Sequence, residues 1–122
     1  MIAGTAYSPS KAFIAFAREF FESIANDDVH AALARLDVST KRWTKKELLT
    51  QLGAAIGSER VCSAIGFVQS ASPELIESES GYILRHRIPA NGKWLKAKAT
   101  FEFTRKPGTE YFRVCLCGFE AS

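Results

Sequence analysis

"GYILRHRIPANGKWLKAKATFEFTRKPGTEYFRVCLCGFE", residues Gly81 to Glu120, places two turn signals, Asn91-Gly92 and Pro107-Gly108, between three runs in which apolar and polar side chains alternate. A period of two marks a strand with one buried face, and Asn-Gly favours a two-residue hairpin loop. Taking Asn91-Gly92 as that loop sets Ile88 opposite Leu95, His86 opposite Ala97, Leu84 opposite Ala99 and Tyr82 opposite Phe101, all on one face. Taking Pro107-Gly108 the same way sets Phe103 opposite Phe112, Phe101 opposite Val114, Ala99 opposite Leu116 and Ala97 opposite Gly118, again on that face. The two turns agree on an antiparallel meander, and one inserted residue would turn the last strand over.

In this register Val114, Leu116 and Gly118 face inward, so Cys115 and Cys117 face outward beside Arg113 and Phe119. Residues i and i+2 of an extended strand have Cα atoms about 6.5–7 Å apart, at the limit of disulfide geometry. The two cysteines therefore read as strand residues on a sheet surface. With Cys62 they make an odd number, and no Cys-x-x-Cys or His-x-x-x-His spacing accompanies them. Reduced thiols are expected, with no metal site and no disulfide framework.

Upstream the period lengthens to that of a helix. Ser8 before Pro9 is a start signal, and Phe13, Phe16, Ala17, Phe20, Phe21 and Ile24 follow at helical spacing. Asn26-Asp27-Asp28 interrupts, and an aspartate caps a short second helix whose stripe is Val29, Ala32, Leu33 and Leu36. Thr44-Lys45-Lys46-Glu47 fits a capping box, followed by Leu48, Leu49, Leu52 and Ile56 until Gly57. Val61 to Ser70 reads as a β-rich run and "SASPE" as a loop; Glu74, Glu77 and Glu79 form an acidic run, and if Glu77 to Ser80 continues the strand its carboxylates lie beside cations of a neighbouring strand. The chain is thus expected to be α+β, with N-terminal helices packed on a curved antiparallel meander. Phe16, Phe20, Leu84, Phe101 and Val114 should share one core.

The 122 residues, with no repeat and no linker-like stretch, fit one domain, 1–122. Hydrophobic residues at 47% and charged ones at 24% exclude a disordered or fibrous chain. No apolar run reaches the roughly 20 residues of a membrane span, and the start lacks a signal-peptide pattern, so a cytoplasmic protein without a membrane partner is expected. A net charge of +3 is too small to imply nucleic acid by itself.

The stretch "AFIAFAREFFESIANDDVHAALARL", Ala12 to Leu36, couples an aromatic-rich helix, an Asn-Asp-Asp break and a short Ala/Leu helix ahead of a curved sheet. In this the chain resembles the nuclear-transport-factor-two-like superfamily. The resemblance implies a cone, a sheet wrapped round a long helix, with an apolar pocket. It also implies either enzymes of the isomerase, dehydratase and cyclase kinds or non-catalytic binding and immunity proteins.

Two function classes fit the residues. On the inward face His86 is the ionisable group, with Tyr82 two positions away and the small Ala97 and Gly118 beside it. A histidine can act as a base near neutrality and a tyrosine can donate to an oxyanion. A lone inward histidine is more often a core residue, and no inward carboxylate accompanies this one. Trp43 reads as covering a core edge and His30 as a helix-surface residue. On the outward face the register sets Arg87 opposite Lys96 and Arg85 opposite Lys98, four cations whose mutual repulsion calls for acidic neighbours. Those are either Glu77 and Glu79 of the same chain or an acidic protein surface. Lys41, Arg42, Lys45 and Lys46 form a second basic cluster. Trp94, Tyr111 and Phe119 do not line up as a stacking platform, which disfavours nucleic acid. The preferred reading is a non-catalytic binding protein using the outer sheet for a protein partner or its own dimer. The alternative is a small-molecule enzyme or carrier of an apolar ligand at His86. No nucleophile motif, P-loop or dinucleotide fingerprint appears, and no cofactor is implied.

Overall fold

The computed structural model describes residues 2–3, 9–37 and 42–121. Helix α1 spans Pro9–Ala25, α2 Val29–Ala34 and α3 Lys45–Ile56, and strands follow at β2 Glu74–Ser78, β3 Gly81–Ala90, β4 Lys93–Arg105 and β5 Tyr111–Glu120. A two-residue strand, β1 (Ile2–Ala3), adds to β5, giving one antiparallel sheet in the order β1-β5-β4-β3-β2. The fold is α+β, three helices on one face of a curled half-barrel sheet in a cone-like arrangement.

The helix boundaries follow from local chemistry. At the end of α1, Asp28 N–H donates to Ser23 O and Asp27 N–H to Ile24 O, while Asp27 takes φ 59°. That pairing is a Schellman closure with an aspartate in the left-handed position. Asp28 then turns its carboxylate onto the Ala31 N–H at 3.0 Å and caps α2. Thr44 caps α3 by accepting from Glu47 N–H at 3.1 Å, and Gly57, at φ 66°, ends it. The Ser8 start signal and Lys41 lie outside the described residues.

Val61–Ser70 is not a strand. It makes one isolated bridge, Val61 to Ala90, and otherwise runs as turns. Against the part of β3 that β2 leaves uncovered it makes only that bridge and the Cys62 N–H to Pro89 O bond beside it, and then leaves the sheet.

The turns form where expected, but the strands slip. Asn91 and Gly92 take φ 49° and 79°, both positive as a type I′ hairpin requires, and Pro89 pairs with Trp94. Beyond Pro89, which has no N–H to give the ladder, β4 carries two extra residues, so His86 faces Ala99 and Arg87 faces Lys98. At the second turn Thr109 N–H closes on Lys106 O with Gly108 at φ 76°, and Lys106 N–H then pairs with Tyr111 O. A turn of that hand splays the strands, and two more residues pass before pairing resumes, so Phe101 meets Leu116 instead of Val114. Each slip is two residues, which keeps every side chain on its face. A further irregularity lies at Cys117: Phe101 pairs with Leu116 but Thr100 with Gly118, so β5 gains one residue and turns over. Phe119 consequently faces inward opposite Ala99 and its ring meets Trp43, 6.2 Å between centroids.

The core sits between α1 and the sheet. Phe13 stacks on Phe103 at 4.1 Å, and Phe16 and Phe20 meet Phe101 edge-on at 5.7 and 5.3 Å. Phe16, Phe20, Leu84, Phe101 and Val114 are all buried, as the two apolar stripes require.

Candidate functional site

The inward face holds one buried polar side chain among the described residues, His86, with 0% exposure. Its ring lies 5.7 Å from Phe21 and 5.4 Å from Trp94. Nδ1 is 2.7 Å from the backbone oxygen of Arg87. A carbonyl can only accept, so Nδ1 carries the proton and Nε2 keeps a bare lone pair, for which the fold provides no partner. Burial lowers the pKa of His86 below its ordinary value, and the nearby Arg18 charge adds to this; the Arg87 carbonyl works against both. A side chain without accessible surface has no water-sized space touching it.

The other inward residues named from sequence do not gather round it. Tyr82 packs on Phe13 and Phe112, whereas His86 packs on Phe21. Phe13 and Phe21 are separated along α1 by about 12 Å, at roughly 1.5 Å per residue. Ala97 lies in the bulged part of β4 and Gly118 opposes Thr100, so neither faces His86 across a strand pair. Trp43, also buried, donates its indole N–H to Leu116 O at 2.8 Å. His30 is exposed and lines a cleft of about 330 Å³ with Asp37, Arg42 and Trp43. A second cleft, about 350 Å³, runs between α1, α2 and α3 over Ile24, Val29, Leu49, Leu52 and Ile56.

On the outer face the expected ladder of four cations is absent: the two-residue slip parts Arg85 from Lys98 and Arg87 from Lys96, and sets Arg87 opposite Lys98. Arg85 faces Thr100, and Lys96 falls in the bulge. Arg85 reaches Glu74 at 3.1 Å and chelates Glu120 through two nitrogens, and Lys98 reaches Glu74 at 2.6 Å. The Lys98 hydrogen bond and the Arg85 charge hold the Glu74 carboxyl below its ordinary pKa. Arg87 spends its guanidinium on the bulged backbone, donating to Leu95 O at 2.6 Å and Trp94 O at 2.9 Å. The neutralising carboxylates are thus Glu74 and Glu120, where sequence pointed to Glu77 and Glu79. Glu120 was hidden because only the bulge at Cys117 returns it to that face.

Beside this network the register row Ile76, Ile83, Glu102, Cys115 crosses the outer face. Ile76 is 48% exposed and Tyr111, at the start of β5, is 47% exposed. The three cysteines are free thiols. Burial, then the neighbouring Cys115 thiol and the Glu102 carboxylate, push the pKa of Cys117 up to about 11, so it stays a protonated and unreactive thiol near neutrality. No group of three or more potential metal ligands occurs among the described residues, and no helix there is long and apolar enough to cross a membrane. No family model, no curated protein and no solved structure matches this chain.

Proposed function

We propose that this chain is a non-catalytic binding protein of the nuclear-transport-factor-two-like kind, an immunity or adaptor type acting in the cytoplasm. It engages a protein partner, or a second copy of itself, through the outer face of the sheet. The observation that carries this reading is the complete enclosure of His86: the histidine of the inward face lies inside a packed core. Catalysis there would require a cavity that reaches Nε2.

The outer face has the complementary character. The helices leave it open, and it presents the aliphatic pair Ile76 and Ile83, Thr100, Tyr111 and the Arg85–Glu74–Lys98–Glu120 network. Because Glu74 and Glu120 neutralise Arg85 and Lys98, the partner it fits is of mixed polarity, with acidic groups only where Lys96 and Arg113 stand exposed.

The test is Ile76→Glu combined with Tyr111→Glu, two half-exposed positions where a charge costs the fold little. The expected outcome is an unchanged urea melt with loss of the proteins that co-purify with the wild type from its native cells, or of its dimer by light scattering. The same partners on the double variant would contradict the reading. So would an apolar ligand that stabilises the wild type in a thermal-shift screen and loses that effect in His86→Leu.

A further inference from the structure

The segment joining α3 to β2 presents a surface that neither the core nor the outer sheet uses. From Val61 to Pro73 it has no charged side chain, yet Ile65 is 84% exposed and Val68 99%. These side chains stand on a backbone held from behind. Ile65 N–H donates to Ser63 Oγ at 3.1 Å and Phe67 N–H to Ala64 O at 3.0 Å. The Phe67 ring meets Trp94 edge-on at 5.0 Å, and the Trp94 indole N–H donates to Gln69 O at 2.9 Å. Cys62 N–H closes on Pro89 O. A loop fixed this way loses little entropy when its tip is engaged.

Cations surround the same anchor. Val68 and Lys93 line one cleft with Trp94, Arg18 rests 5.5 Å from the centre of the Trp94 ring, and Lys96 stands exposed two residues further along β4. Among the described residues none of these three cations has an ion pair. The carboxylates at this end are occupied, Glu59 by the Asn91 amide and Asp27 by Arg60.

Two separate aliphatic side chains offer a protein partner far less than the roughly 1,200 Å² that a stable interface buries. A bilayer surface sets no such minimum, because each inserted apolar group and each cation near anionic headgroups adds its own increment. We propose that the 61–73 loop docks on an anionic phospholipid surface, with Ile65 and Val68 inserted at the headgroup–acyl boundary and Lys93 and Lys96 against the phosphates. The contact is peripheral, shares Lys96 at the edge of the outer sheet face, and leaves the Ile76, Ile83 and Tyr111 part of that face free for its own partner.

The experiment is co-sedimentation of the full chain with vesicles of phosphatidylcholine alone and mixed with phosphatidylglycerol. Ile65→Ser/Val68→Ser and Lys93→Gln/Lys96→Gln are run beside the wild type, with urea melts to establish that these exposed changes leave the fold intact. The wild type should pellet with the mixed vesicles and not with phosphatidylcholine alone, and each double variant should partition about tenfold less or weaker still. Wild type remaining in the supernatant with mixed vesicles overturns the proposal. A serine variant that pellets like wild type also overturns it, since the attraction is then a general effect of net charge. A wild-type dimer that the serine pair converts to monomer, with no vesicle binding, assigns the loop to a second copy of the chain and overturns it as well.

Discussion

The two faces of the sheet are held by different physics. On the inner face Leu84, His86, Ala97, Ala99, Phe101, Phe103 and Val114 are fully buried, and what matters is that each points toward α1. On the outer face Arg85, Lys98, Glu74 and Glu120 keep about a quarter to a half of their side-chain surface, and what matters is who stands beside whom. A two-residue slip leaves the first face unchanged and rearranges the second. Burial is insensitive to register at fixed parity; electrostatic pairing depends on it residue by residue.

Phe20→Ala strikes the inner face hardest. It removes a ring packed on Phe21 and Phe101 and should cost about 3–5 kcal/mol. A urea-melt loss below about 1 kcal/mol would mean that α1 turns another side to the sheet.

Gly81→Ala probes the same packing through the backbone. A Cβ at Gly81 would lie 1.9 Å from Phe103 O, and β3 and β4 would have to part to admit it. The expected destabilisation is about 1–3 kcal/mol or more, read from the same melts. A neutral variant would show that the β3–β4 contact is looser than described.

His86→Leu separates burial from chemistry on the inner face. It removes a nitrogen buried without a partner but also the Nδ1–H that the Arg87 carbonyl accepts, so the two effects oppose and stability at neutral pH should change by about 1 kcal/mol or less in either direction. The pH dependence has a definite sign. Folded His86 binds its proton less tightly than the unfolded chain does, so its stabilising contribution is fully present above about pH 6.5 and is lost progressively as pH falls below that toward its lowered folded pKa. Urea midpoints taken between about pH 7.5 and pH 5.5 should fall less in the leucine variant than in the wild type. Equal slopes would place the acid sensitivity elsewhere.

The smallest effect belongs to the outer face. Glu74→Gln breaks two exposed ion pairs, to Arg85 and Lys98, and should shift the urea midpoint less than any change above, by an amount that shrinks in high salt. Because the folded carboxyl titrates below its ordinary value, that contribution is present above about pH 4.5 and disappears as pH falls. A loss comparable to Phe20→Ala would erase the distinction between the faces.

The same distinction explains what was legible in the sequence. The three helices, their Thr44, Asp28 and Gly57 boundaries, the α+β order and the five core residues all follow from period and capping chemistry, which are local. The inward position of His86 also survives, since parity survives. Its cross-strand partner does not, because β4 lets two residues pass unpaired next to Pro89; the Pro107-Gly108 turn does the same to the β4–β5 pairing. The inward turn of Phe119 and the Arg85–Glu120 contact depend on one extra residue at Cys117, which no alternation pattern announces. The two thiols of the Arg113–Glu120 stretch are strand and bulge residues. Val61–Ser70 is a loop despite its aliphatic content, because β-favouring residues without a sustained ladder of partners do not make a strand.

The closed inner face is the claim on which the functional reading stands, and side-chain nitrogen NMR of His86 across a pH series tests it most directly. One neutral imidazole, protonated at Nδ1, should persist unchanged as pH is lowered until the fold itself is lost. A His86 signal that titrates near pH 6.5 in the folded protein, or exchanges between its two neutral forms, would show solvent at Nε2 and contradict the account.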